Sequence, residues 1–226
     1  MAPKGIAGRR VLFGTPTFDK SLSVDYHTSM LGTVGELIRH GVACDSHIIA
    51  GLQFIDLARN RIVAAFLKSE ATDLIFVDAD QGWDPEAVPR ILGHEELIVA
   101  ALPPKKCDPP EFHSNALTGK IQNGLFESRE AGTGFMRIRR DAFAALDAAY
   151  PDLAKADREN AETPYFQTGI HAGGFLGEDM FFCRLWTGMG ESLWIDPDVT
   201  FTHRGSKAWK GNFYEHAVGT GMLKSA

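Results

Sequence analysis

The chain has 226 residues, of which 44% are hydrophobic, and a formal net charge of −6 at neutral pH. This is enough apolar material for one large α/β core, and with no run approaching eighteen apolar residues and no signal peptide, a cytoplasmic protein without a membrane span is expected. The negative charge argues against tight sequence-independent binding of nucleic acid, and Cys44, Cys107 and Cys183, odd in number and without CxxC spacing, read as reduced thiols rather than disulfides or a zinc site.

Val11-Leu-Phe-Gly reads as a first strand, and Gly14-Thr-Pro-Thr as the loop at its end. A helix follows from about Val24 to Arg39, with Tyr26, Met30, Val34, Leu37 and Ile38 on one face, and His40-Gly41 stops it. A second strand covers Val42 to Ala50. The next helix, Gln53 to about Glu70, carries Ile55, Ile62 and Phe66 on its buried stripe, and Arg59 falls inside that stripe. A guanidinium there pairs with a structural acid, snorkels to solvent, or, with Asn60, supports a ligand crevice beside the following strand.

That strand is Leu74-Ile-Phe-Val, and it runs straight into Asp78-Ala-Asp80, with a helix start expected at Asp84-Pro85. In an open α/β sheet the carboxyl ends of the strands face the ligand crevice. Acids spaced i, i+2 there converge on one divalent cation, or else simply end a strand and begin a turn. Glu96-Leu-Ile-Val-Ala-Ala-Leu makes a fourth strand, which delivers Pro103-Pro-Lys-Lys-Cys-Asp-Pro-Pro. Lys105 and Lys106 are either ordinary loop residues or cations placed for a phosphate.

Residues 112–130 read as short antiparallel strands. Ala131-Gly-Thr-Gly then turns into a strand through Phe135 and Met136, and Asp141 starts a helix. Residues 150–173 read as an irregular region covering a site. Gly177-Glu178-Asp179 opens an apolar helix with two acids in its first turn, a placement the helix dipole favours in any case. In the last strand Val199, Phe201 and His203 share one face, and the tail from Ser206 to Ala226 is expected to fold over the site.

Taken in order, Thr15-Pro-Thr, Ala58-Arg-Asn-Arg, Val77-Asp-Ala-Asp, Pro103-Pro-Lys-Lys, Gly132-Thr-Gly-Phe, Gly177-Glu-Asp-Met-Phe-Phe and His203 resemble the motif series of GT-A type glycosyltransferases related to family 2, including small bacterial and bacteriophage members. The resemblance runs from residue 11 to about 205. Its DxD motif is only three residues long, so the order and spacing of the motifs carry it.

The resemblance implies a single Rossmann-like α/β domain over residues 1–226, with a mixed, mainly parallel sheet and helices on both faces. Residues 11–105 would bind the nucleotide, 106–205 would supply the acceptor and catalytic half, and 206–226 the tail. It implies transfer of a sugar from a nucleoside-diphosphate sugar, foremost a UDP-sugar, with Mn²⁺ or Mg²⁺ held by Asp80 and His203. Asp78 would hold the ribose, a metal-bound water or the metal itself. Thr15, Pro16, Thr17, Tyr26 and Arg59 would line the nucleoside pocket, with Lys106 at the phosphates. Glu178 or Asp179 would sit under the sugar, and in inverting members the aspartate takes the acceptor proton, whereas in retaining members this acid is not the base. The acceptor is open: a glycan, a lipid-linked sugar, a protein or a hydroxylated DNA base. Two other functions compete. A nucleotidyltransferase forming sugar nucleotides would use a similar core, but Gly14-Thr-Pro-Thr stands where its glycine-rich phosphate loop belongs; a non-catalytic nucleotide-sugar binding protein would turn over nothing.

Overall fold

A computed structural model describes residues 5–114, 116–153 and 162–223. The sheet is built on β3 (Asp73–Val77), in which all five residues are buried. Leu74 and Phe76 enter one apolar cluster, Ile75 and Val77 the other, as the two-residue period of a strand covered on both faces requires. On one side β3 pairs in parallel with β1 (Arg10–Thr17), which pairs in parallel with the edge strand β2 (Ala43–Ala50). On the other side it meets β8 (Phe135–Arg139), antiparallel. Beyond β8 come β5 (Ile98–Ala100), β11 (Leu193–Ile195), β7 (Leu125–Ser128) and β6 (Leu117–Gln122), giving the order β2-β1-β3-β8-β5-β11-β7-β6. Only β8 and β7 run against the rest, so the sheet is mixed but mainly of one direction. The two expected halves of the chain therefore interleave in one sheet.

Helices α2 (Ile55–Lys68), α4 (Arg140–Ala149) and α5 (Glu178–Gly188) contribute Ile62, Phe66, Phe143, Phe182 and Trp186 to the cluster on one face. The other face is covered by α1 (Val24–Arg39) and α3 (Ala87–Leu92), together with a small sheet of β4 (Gln81–Trp83), β12 (Thr200–Arg204) and β13 (Ala208–Asn212). Among the described residues no helix is long and apolar enough to cross a membrane.

Four sequence expectations are corrected here. The buried face of α1 is Tyr26, Ser29, Thr33 and Leu37, whereas Ile38 is 70% exposed. The polar members belong inside because the Trp83 backbone N–H donates to Ser29 Oγ (2.8 Å) and its indole N–H to Thr33 Oγ1 (2.9 Å). Gly82 permits this contact, since a Cβ there would lie 2.7 Å from the Asp25 Cβ. Residues 84–86 form a turn before α3 instead of its first turn, because β4 intervenes. Residues 150–173 are not uniformly irregular: β9 (Gly169–His171) forms an antiparallel hairpin with β10 (Gly174–Leu176), while 154–161 lie outside the described residues. The tail does not close over the site. Instead, β13 extends the small sheet, and α6 (Phe213–Gly219) buries Phe213 and Ala217 in the core, where Phe213 meets Phe112 and Phe126.

Asp196, at the end of β11, ties α3 to the sheet. Its buried carboxylate accepts Arg90 Nε (2.8 Å), Arg90 Nη2 (3.1 Å) and its own loop's Asp198 N–H (3.0 Å), and lies 2.7 Å from His94 Nε2. Burial alone would raise its pKa, but the bonds from His94 and Arg90 outweigh it and hold the carboxyl below the usual range. A depressed folded-state pKa gives stability that is present above about pH 4 and is lost as pH falls through the folded value. Asp196→Asn is expected to cost about 3 kcal/mol at pH 7, with the gap to wild type closing below about pH 4, as measured by urea unfolding across pH.

Candidate active site

The carboxyl ends of β1, β3 and β12, the first turns of α2 and α5, and the turn before β8 enclose a cleft of about 780 Å³. Its walls include Pro16, Thr17, Arg59, Asp78, Asp80, Gln81, Thr133, Glu178, Asp179 and His203. Residues from six separate stretches of sequence thus face one space at the position the strand-end rule specifies.

Arg59 is 4% exposed and pairs with two carboxylates: Nε donates to Glu178 Oε1 (3.0 Å) and Nη2 to Asp78 Oδ1 (3.2 Å). Its guanidinium also lies 5.1 Å from the Phe76 ring centroid. The neighbouring Asn60 is structural, donating to the Phe166 carbonyl (2.8 Å) and accepting its N–H (3.0 Å). The stripe that placed an arginine among apolar residues is therefore real, and the acids at the end of β3 and the start of α5 are its reason.

Asp80 faces the opposite wall. Its Oδ1 is 3.4 Å from His203 Nε2, and its Oδ2 accepts the Lys106 ammonium. Register explains the histidine, because β12 pairs with β4 so that His203 stands opposite Gln81, the residue after Asp80. His203 Nδ1 lies 2.7 Å from the Pro104 carbonyl oxygen. A carbonyl only accepts, so Nδ1 carries a proton, and Nε2 is the ring nitrogen that faces Asp80. Burial would raise the Asp80 pKa, but His203 and Lys106 outweigh it and hold the carboxyl below its ordinary range. A carboxylate oxygen and an imidazole nitrogen 3.4 Å apart, with the far ring nitrogen tied to a carbonyl, are a donor pair of the kind that holds one divalent cation. Asp78 does not join it, because its carboxylate turns to Arg59; among the described residues no three His, Cys, Asp or Glu side chains converge as a metal cluster.

Glu178 and Asp179 differ sharply. Glu178 is held by Arg59, whereas Asp179 makes no ion pair among the described residues and accepts the Met180 N–H (2.8 Å). Burial, followed by the neighbouring Glu178 charge, pushes the Asp179 carboxyl above the ordinary aspartate range.

Two expected nucleoside contacts lie elsewhere. Thr15 and Tyr26 are buried behind the cleft wall, with their hydroxyls 2.8 Å apart, and each satisfies the other. Pro16 and Thr17 do line the cleft, although the Thr17 hydroxyl is occupied by the Ser21 carbonyl and Asp19. Sequence reasoning missed Gln81 and Thr133. Both are 1% exposed, and Gln81 Oε1, Thr133 Oγ1 and Arg59 Nη1 are buried without a hydrogen-bond partner. The available signal was position, since Gln81 follows the two aspartates directly. Thr133 lies between two glycines, and Gly134 is required because a Cβ there would lie 2.4 Å from Gln81 Nε2 and 2.9 Å from Asp78 Oδ2.

No family model matches the chain, and no curated protein matches it by sequence. Among solved structures 47 chains match. One is the crystal structure of A197 from STIV, which is similar over 87% of this chain and 86% of its own, at 16% identity and a TM-score of 0.52. At that identity the likeness shows the fold alone, a mixed α/β architecture of Rossmann-like type built on one large central sheet.

Proposed function

We propose that this protein is a metal-dependent glycosyltransferase that moves a sugar from a nucleoside diphosphate to an acceptor hydroxyl, with Asp179 as general base. The observation that carries this reading is the convergence on one cleft of a metal-type donor pair, Asp80 and His203, with a half-buried carboxylate, Asp179, that makes no ion pair among the described residues. Mn²⁺ or Mg²⁺ bound by that pair and the donor's diphosphate would offset the negative charge that develops on the leaving group.

The chain's own residues account for the rest. Lys106, whose ammonium reaches Asp80, is placed to meet a phosphate oxygen at the same point. Arg59 holds Glu178 and Asp78 in place and keeps its third nitrogen, together with Gln81 and Thr133, for polar groups of the bound ligand. Asp179 accepts the acceptor's proton as its oxygen attacks, and a raised pKa makes it the better base near neutrality. Glu178 is a poor candidate for that task because Arg59 already neutralises it.

Three substitutions test the assignment. Asp80→Asn is expected to abolish the Mn²⁺ dependence of UDP binding in calorimetry while leaving the melting temperature near wild type; wild-type metal dependence in that variant would sink the metal assignment. Asp179→Asn should retain UDP binding and lose roughly 10²–10⁴-fold in transfer rate, and in wild type the acid limb of the pH–rate profile should lie above the ordinary aspartate range, activity falling as the base is protonated. Arg59→Met leaves two carboxylates facing one another and should cost about 3–5 kcal/mol of stability, read from chemical denaturation.

A further inference from the structure

Asp179 faces two spaces. Sharing Gly132 with the main cleft is a second cavity of about 480 Å³, within the range that holds a small ligand. His113, Gly132 and Asp179 line both, so the two spaces meet at the Asp179 carboxyl. The second cavity adds Arg129, Glu130 and Met180.

Apart from Asp179, the charges around it are accounted for among the described residues, with one exception. Glu130 accepts Arg184 Nε (3.0 Å), and Lys105 pairs with Glu111 (3.3 Å). His113 is held toward its neutral form, first by burial and then by the Lys105 charge. Arg129 is exposed and, among the described residues, has no side-chain hydrogen bond or ion pair, whereas every other described arginine donates to a carboxylate or a carbonyl oxygen. In a chain of net charge −6, a free guanidinium beside a cavity that holds two carboxyl groups marks the point where an anion is favoured.

We propose that this cavity is the acceptor site and that it takes an anionic acceptor, a sugar or polyol bearing a carboxylate or phosphate that pairs with Arg129 while a hydroxyl reaches Asp179. The proposal rests on the glycosyltransferase reading. In the step it implies, the hydroxyl proton passes to Asp179, the hydroxyl oxygen bonds to the anomeric carbon, and the bond from that carbon to the diphosphate breaks with its electron pair leaving on the diphosphate.

The test is equilibrium binding to the full chain of three probes, methyl glucuronide, glucose 6-phosphate and methyl glucoside, with UDP affinity measured on the same samples. Wild type is expected to bind at least one of the two anions tenfold or more tightly than the neutral glycoside, and the preferred anion tells carboxylate from phosphate. Arg129→Ala should erase that preference, and Arg129→Lys should keep part of it. A wild type that binds neither anion more tightly than the glycoside, or an Arg129→Ala variant that keeps the preference, overturns the proposal. Wild type that binds an anion through Arg129 but has no affinity for UDP would instead overturn the donor reading, so the two failures are separable.

Discussion

Arg59 is almost wholly buried, and the carboxylates that neutralise it come from the end of β3 and the first turn of α5, Glu178 lying 119 residues along the chain. A buried guanidinium is costly unless both its charge and its geometry are satisfied, so the sheet and α5 must approach at one distance and one angle. That requirement carries outward. With Glu178 fixed, the next residue, Asp179, lines both the main cleft and the smaller cavity that shares Gly132 with it. With Asp78 fixed, the chain turns so that Asp80 meets the small sheet and His203. One cation thus separates the two acids at the start of α5 into a bound member and a free one.

Charge is also sorted along the sheet. The amino end of β3 starts with Asp73, buried and met by Arg9 Nη1 (3.2 Å) and by the Thr72 hydroxyl (2.7 Å). Beside it Arg137 is fully buried and donates to the carbonyls of Ile91, His94 and Glu96, with burial pulling its pKa down to about 10, so that it stays charged at neutral pH. Partners within the protein meet most of these groups; Arg137 Nε, 3.9 Å from Asp73 Oδ1, makes no hydrogen bond. At the carboxyl end the pattern differs: Arg59 Nη1, Gln81 Oε1 and Thr133 Oγ1 are buried without partners, and Asp179 has no counter-ion. The amino end, where charged side chains are paired with protein groups, serves the fold, and the carboxyl end, where the unpartnered groups line a cleft, is where a polar ligand gains most from binding.

Much of this was legible in the sequence because the relevant signals are local. The apolar run before Asp78 gave a strand buried on both faces, helical spacing exposed Arg59 as an intruder, and acids in a first helical turn marked α5. What escaped depends on partners distant in the chain. Ser29 and Thr33 face inward because Trp83 donates to them, and Thr15 and Tyr26 spend their hydroxyls on each other, which single-residue patterns cannot report. The separate fates of Glu178 and Asp179 likewise turn on which of them Arg59 reaches, a matter of rotamer and tertiary distance. The tail, rich in glycine, lysine and aromatics, was expected to fold over the site, whereas Phe213 and Ala217 supply an inward face that docks a short helix in the core.

The place of β8 carries a consequence for how the molecule is made. It lies between β3 and β5, pairing with both, although it follows β5 by more than thirty residues and β3 by nearly sixty. Until that segment has left the ribosome, β3 can pair only with β1, and its other edge, five apolar-flanked residues long, stays open. The strand bearing the two aspartates is then an unprotected edge of the kind that recruits a second chain. Contacts of such long sequence separation form slowly, so the completion of this sheet, and with it the assembly of the cleft, is set late in synthesis and exposes the nascent chain to aggregation at the same strand that later presents its chemistry.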